Sequence, residues 1–144
     1  MAIDELVATR DILERYEDSK KNILLNFLNN IRKLKAAENE NEIKKEISAM
    51  REMLPRLDGH IEVEMEKFAG FNNVTSRLMQ QKHLLNELKI FSQSYFSTED
   101  KISLNVILGN IIEVIKQFIG NCDHTKHEKI KFETGKMVDY KMAA

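Results

Sequence analysis

An all-α, antiparallel up-down-up-down four-helix bundle is the fold this sequence predicts. Three observations predict it. Chain breakers are scarce, with 5 Gly and 1 Pro in 144 residues, too few for a turn-rich β sandwich. Apolar residues recur at helical spacing in four stretches of ~20 residues or more. Short polar or Gly-containing links separate those stretches, and short links make consecutive helices antiparallel neighbours.

The first helix is expected from Ile3 or Asp11 to Ala37. Leu24, Leu25, Phe27, Leu28, Ile31 and Leu34 supply its apolar face, and the polar run Glu38-Asn39-Glu40-Asn41 ends it. The second is expected from Glu42 to Ala69 on the stripe Leu54, Leu57, Ile61, Met65 and Phe68. Pro55 lies inside it and should kink it or mark a fresh helical start. Gly70-Phe71-Asn72-Asn73 reads as a turn. The third helix should cover Val74 to Phe96, with Leu78, Leu85, Leu88 and Tyr95 inward. Ser97-Thr98-Glu99-Asp100 looks like a cap followed by first-turn acids. The fourth should reach at least Cys122 on Ile111, Ile115, Phe118 and Cys122. A polar tail follows from Asp123, either extending the helix or crossing the bundle end. No repeat or second domain is visible, so residues 1–144 read as one domain.

Lys and Arg number 22 against 23 Asp and Glu, a formal net charge of -1. That balance excludes a strongly basic nucleic-acid binder and a polybasic membrane anchor as default readings. One cysteine, Cys122, excludes an internal disulfide framework and fits a reducing compartment. The N-terminus lacks the basic start and apolar core of a signal peptide. The longest apolar region, Ile102 to Ile119, is interrupted by Asn105, Asn110, Glu113, Lys116 and Gln117, so no membrane span is expected. These features predict a soluble, cytoplasmic protein.

In a bundle, function is read from polar groups on inward faces. His60 and Glu64 are four apart and share a helix face beside Leu57, Ile61 and Phe68. Met79 and His83 form a similar pair on the third helix. Across the second turn these pairs fall at one level, and across the first turn Lys21 lies level with His60. A carboxylate there needs a positive partner or must reach solvent. Cys122 continues the core stripe of the fourth helix, where a lone Cys is ordinarily a small buried hydrophobe. His124 and His127 follow, and such a cluster either binds a soft or borderline cation or is a solvated helix end.

Together these spacings resemble the hemerythrin family, four-helix bundles that hold a carboxylate-bridged di-iron centre and bind dioxygen. His60-Ile-Glu-Val-Glu64 matches the second-helix His-x3-Glu motif. The third-helix His-x3-His positions, fifteen and nineteen residues after that Glu, fall on Met79 and His83. Asp18-Ser-Lys-Lys21 resembles the first-helix segment, with Lys21 at the His. Phe118-Ile119-Gly-Asn-Cys122 resembles the fourth-helix segment, with Cys122 at the His and His127 at the Asp. The resemblance spans roughly residues 15 to 130. Of the seven ligand positions, His60, Glu64 and His83 are kept, while Lys21, Met79, Cys122 and His127 are replacements.

The resemblance implies an altered, mononuclear or mixed non-haem site on His60, Glu64, His83, Cys122 and His127. His60, Glu64 and His127 would form a two-His-one-carboxylate set suited to iron, and His83 with Cys122 a softer half suited to zinc or copper. Sensing or storage of metal, oxygen or a redox signal would follow, with no catalytic residue. The alternative is a metal-free, degenerate bundle serving as a structural or signalling interaction module, in which the Lys21 ammonium neutralises Glu64. A metal-dependent oxidase or peroxidase ranks last, since no nucleophile-base pair or cofactor fingerprint is present.

Overall fold

The computed structural model describes residues 3–128, 130–131 and 137–138, and side chains within 9–128. Four helices account for almost all of it: α1 (Ile3–Ala36), α2 (Glu40–Lys67), α3 (Asn72–Ser97) and α4 (Lys101–Lys126). α1 packs on α2 and α4, and α3 packs on the same two, which closes an antiparallel four-helix bundle. After α4, β1 (Ile130–Lys131) pairs antiparallel with β2 (Met137–Val138).

Local chemistry ends each helix where the links begin. Asn39 caps α2, its side-chain oxygen accepting from the Glu42 N–H at 3.3 Å. Glu38, at φ 54°, turns the chain between α1 and α2 through the left-handed region. Asp100 caps α4, accepting from the Ser103 N–H at 2.9 Å and the Ser103 hydroxyl at 2.7 Å. The cap expected from Ser97 onward is therefore Asp100 itself. Ser97 still belongs to α3, and the Thr98 hydroxyl closes that helix by donating to the Ser94 carbonyl at 2.7 Å. α2 continues unbroken through Pro55, whose ring lies on the exposed side. The stretch from Asp123 continues α4 by one more turn, to Lys126.

Buried positions repeat at spacings of three and four. In α1 they are 10, 13, 17, 20, 24, 28 and 31; in α3 they are 74, 78, 81, 85, 88, 92 and 95. α2 buries 43, 47, 50, 54, 57, 61 and 64, and α4 buries 104, 108, 111, 115, 118, 122 and 125, with 114 beside the stripe. This is the seam pattern of helices packed side by side with a shallow crossing. By length and composition α4 would pass as a membrane-spanning helix. In the bundle its Leu104-to-Thr125 stripe is a core stripe packed on α1 and α3.

One half of the core is apolar apart from the Ser92 hydroxyl, built from Leu24, Leu28 and Ile31 against Ile47, Met50, Leu85, Leu88, Leu108 and Ile115, among others. The other half, where α1 and α3 begin and α2 and α4 end, admits polar side chains. Glu17, Lys20, Glu64, Gln81 and Thr125 are all 0% exposed there. Each occupies a position of the buried repeat, so the helix pattern itself carries these groups inward.

Candidate functional site

The polar centre is organised around one ammonium. Lys20 Nζ donates to Glu17 Oε1 at 2.9 Å and to Gln81 Oε1, and it lies 2.5 Å from Glu64 Oε1. Gln81 Nε2 donates onward to Glu17 Oε2 and to Asn121 Oδ1, both at 3.0 Å. The Thr125 hydroxyl donates to the Asn121 carbonyl at 2.7 Å, tying the α4 side of the cluster together. Three helices thus meet at Lys20, with Glu17 and Lys20 from α1, Glu64 from α2 and Gln81 from α3.

Two carboxyl groups face a single ammonium in this space. The Glu64 oxygens receive no well-aligned hydrogen bond, although Oε1 lies close to the Lys20 ammonium. Burial pushes the Glu64 carboxyl up to about 9, against the pull of Lys20 and with an added push from Glu17. The raised value favours the protonated form of Glu64, which lessens the surplus of negative charge around the one ammonium. Burial likewise pushes the Cys122 thiol well above the usual thiol range, with Glu17 adding to the effect. The low-pKa thiolate that a cation beside Cys122 would produce is absent, because the nearest strong influence after burial is a carboxylate.

The residues singled out from sequence separate into two groups. Glu64 and Cys122 are fully buried, at the centre and beside it. The other three lie elsewhere. His60 is half-buried on the α1–α2 surface, its ring edge-on to Tyr16 at 6.4 Å between centroids. His83 points outward, its side chain 73% exposed and 3.4 Å from Glu87. His127 caps the C-terminus of α4 and is exposed. Met79 is outward as well. Among the described residues, no group of three or more His, Cys, Asp or Glu side chains is arranged to hold a metal ion. A dication would also meet the Lys20 ammonium at the Glu64 carboxyl, and like charges at that range repel strongly. As they stand, these residues do not fit a metal centre.

Lys21 is corrected to Lys20 as the ammonium that meets Glu64. Lys21 is partly exposed and pairs with Asp123 of α4 at 2.8 Å. One residue is 100° of helix, enough to carry a side chain from the seam to the rim. Counting back from Leu24 by fours and threes reaches 20, 17 and 13, and that count would have found both Lys20 and Glu17. The same count from Leu78 finds Gln81 before Leu85. The shared polar level inferred across the turns exists, but its members are Glu17, Lys20, Glu64, Gln81 and Cys122.

The side chains of the centre are fully buried. The surface grooves between neighbouring helices are lined by other residues: Leu54, Asp58, Lys82 and Leu85 between α2 and α3, Met79, His83 and Gln117 between α3 and α4, and Tyr16 and His60 between α1 and α2. Compared with protein-family models, with curated proteins and with solved structures, the chain matches none.

Proposed function

We propose that this chain is a metal-free, hemerythrin-shaped four-helix bundle that works through its surface, as a structural or signalling interaction module. One observation carries the reading: the Lys20 ammonium sits between Glu17 and Glu64, where a metal site would need its ligands. The lysine neutralises the centre and fixes the register of three helices, a role attested for buried polar groups in helical assemblies. Exposed apolar side chains support a working surface, notably Ile102 at 76% and Val106 at 60% on α4.

The test is elemental analysis of untagged protein purified without chelator, followed by titration with iron(II), zinc(II) and copper(II) while absorption and melting temperature are recorded. The expected result is no stoichiometric metal and no saturable change with any of the three. One or two metals per chain, lost in Glu64→Ala and Cys122→Ala, would overturn the proposal and restore the altered metal site.

A further inference from the structure

The α1–α2 groove differs from the other seams of the bundle in its charge. It is an open groove of about 380 Å³ lined by Ile12, Arg15, Tyr16, Ser19, His60 and Lys67. That volume lies within the usual range of small-ligand sites, roughly 300–1,000 Å³. Its walls contain two permanent cations and an imidazole, and no carboxylate. Three acids of the neighbouring turns are engaged elsewhere. Glu14 pairs with Arg10, Asp18 with Lys126 and Glu64 with Lys20. Asp11 and Glu66 do not line the groove. Among the described residues, neither Arg15 nor Lys67 is in an ion pair.

The α2–α3 groove mixes both signs of charge, with Glu52 and Asp58 in its walls together with Arg51, Lys82 and Lys89. In the α2–α3 groove Lys82 is held by Asp58 at 3.2 Å and by Glu62. Along α1–α4, Lys21 meets Asp123 at 2.8 Å and Lys126 meets Asp18 at 2.9 Å. Unneutralised cations around a concave surface favour an anion. The details narrow its class. The Arg15 guanidinium offers a planar fork suited to a phosphoryl or carboxylate group. Helical side chains lean toward the N-terminus, so Lys67 leans back along α2 toward the His60 turn. Ser19 adds a hydroxyl, while Tyr16 and Ile12 supply an aromatic and an apolar wall.

We infer that the α1–α2 groove is a binding site for a phosphate monoester with an apolar or aromatic body, with Arg15 and Lys67 as counter-charges and Tyr16 and Ile12 as the wall. The anion is held by the two cations and by donors from Ser19 and His60. The body of the ligand lies against the tyrosine ring. A soluble metabolite and a lipid headgroup share this chemistry.

The test is a titration of the ¹⁵N-labelled protein at fixed pH and ionic strength with phenyl phosphate and with inorganic phosphate, read by amide chemical shifts. Saturable shifts at residues 12–19 and 60–67, with phenyl phosphate the tighter ligand, are expected. The surface double variant Arg15→Ala/Lys67→Ala should weaken binding by at least about tenfold, two charge-assisted contacts being lost. It leaves His60 and the buried centre intact, so its result is independent of the metal titration above. Vesicles containing phosphatidic acid form a second arm. Binding to them that depends on Arg15 and Lys67, without a response to phenyl phosphate, would place the phosphate on a lipid. Non-saturating or scattered shifts with no vesicle binding, or equal binding by the double variant, would overturn the inference.

Discussion

Replacing Lys20 by Met should cost several kcal/mol at neutral pH. The side chain is 0% exposed, as are those of both carboxylic partners. Removing it leaves Glu17 without its cation and Gln81 Oε1 without its donor, while the methionine fills most of the lost volume. Breaking a buried pair in this way costs about 3–5 kcal/mol. A domain has only about 5–15 kcal/mol in total, so the variant should be marginal at pH 7. For a chain of this length each kcal/mol is worth roughly 2–4 °C in melting temperature, which makes a fall of about 10 °C the expected outcome. Urea unfolding of wild type and variant at pH 7 and pH 5 gives the comparison directly. The loss should shrink at pH 5, where a carboxyl group deprived of its cation can be protonated instead. The triple change Lys20→Met/Glu17→Gln/Glu64→Gln should recover most of the stability, because a neutral hydrogen-bonded or apolar replacement of a buried ionic set is often neutral or better. Lys21→Met is the control. Its pair with Asp123 is partly exposed on both sides, and such pairs are worth about 0–1 kcal/mol. Equal losses in the Lys20 and Lys21 variants, or a Lys20 loss below about 1 kcal/mol, would refute the reasoning.

Glu64 predicts a pH dependence of definite sign. Its carboxyl is raised from 4.5 to about 9 in the folded protein, so its contribution is present below about 4.5 and is lost as pH rises toward 9. Melting temperature should therefore decline across pH 5 to 9 in the wild type and decline less in Glu64→Gln; parallel curves would contradict this. Cys122 should resist alkylation in the native state, because its thiol is fully buried and pushed up by that burial. Labelling by iodoacetamide should follow global unfolding in urea, and rapid labelling of the folded protein at pH 8 would show that the thiol is accessible.

Much of the fold was legible because it depends on local pattern. Leu54, Leu57, Ile61 and Phe68 fall on the buried side of α2, and Leu78, Leu85, Leu88 and Tyr95 on that of α3, since helical period alone decides which residues share a face. The same period held the polar centre in plain view at Glu17, Lys20 and Gln81. Motif spacing from His60 and Glu64 does not lead to it, whereas the seam counted from Leu24 and Leu78 does. Spacing along a helix allowed Met79 and His83 to lie inward, but α3 turns that face to solvent.

The sequence by itself determined four helices, their antiparallel order and most of the apolar core, all consequences of periodicity and short links. Only the tertiary structure decided which polar groups meet. The choice between Lys20 and Lys21 is a rotation of one residue about α1, and its outcome depends on how α2 and α3 pack against that helix. So does the charge balance of the centre, because Lys20, Glu64 and Gln81 belong to three different helices. Periodicity acts within a helix; charge compensation acts across the space between helices, and that space exists only once they have packed.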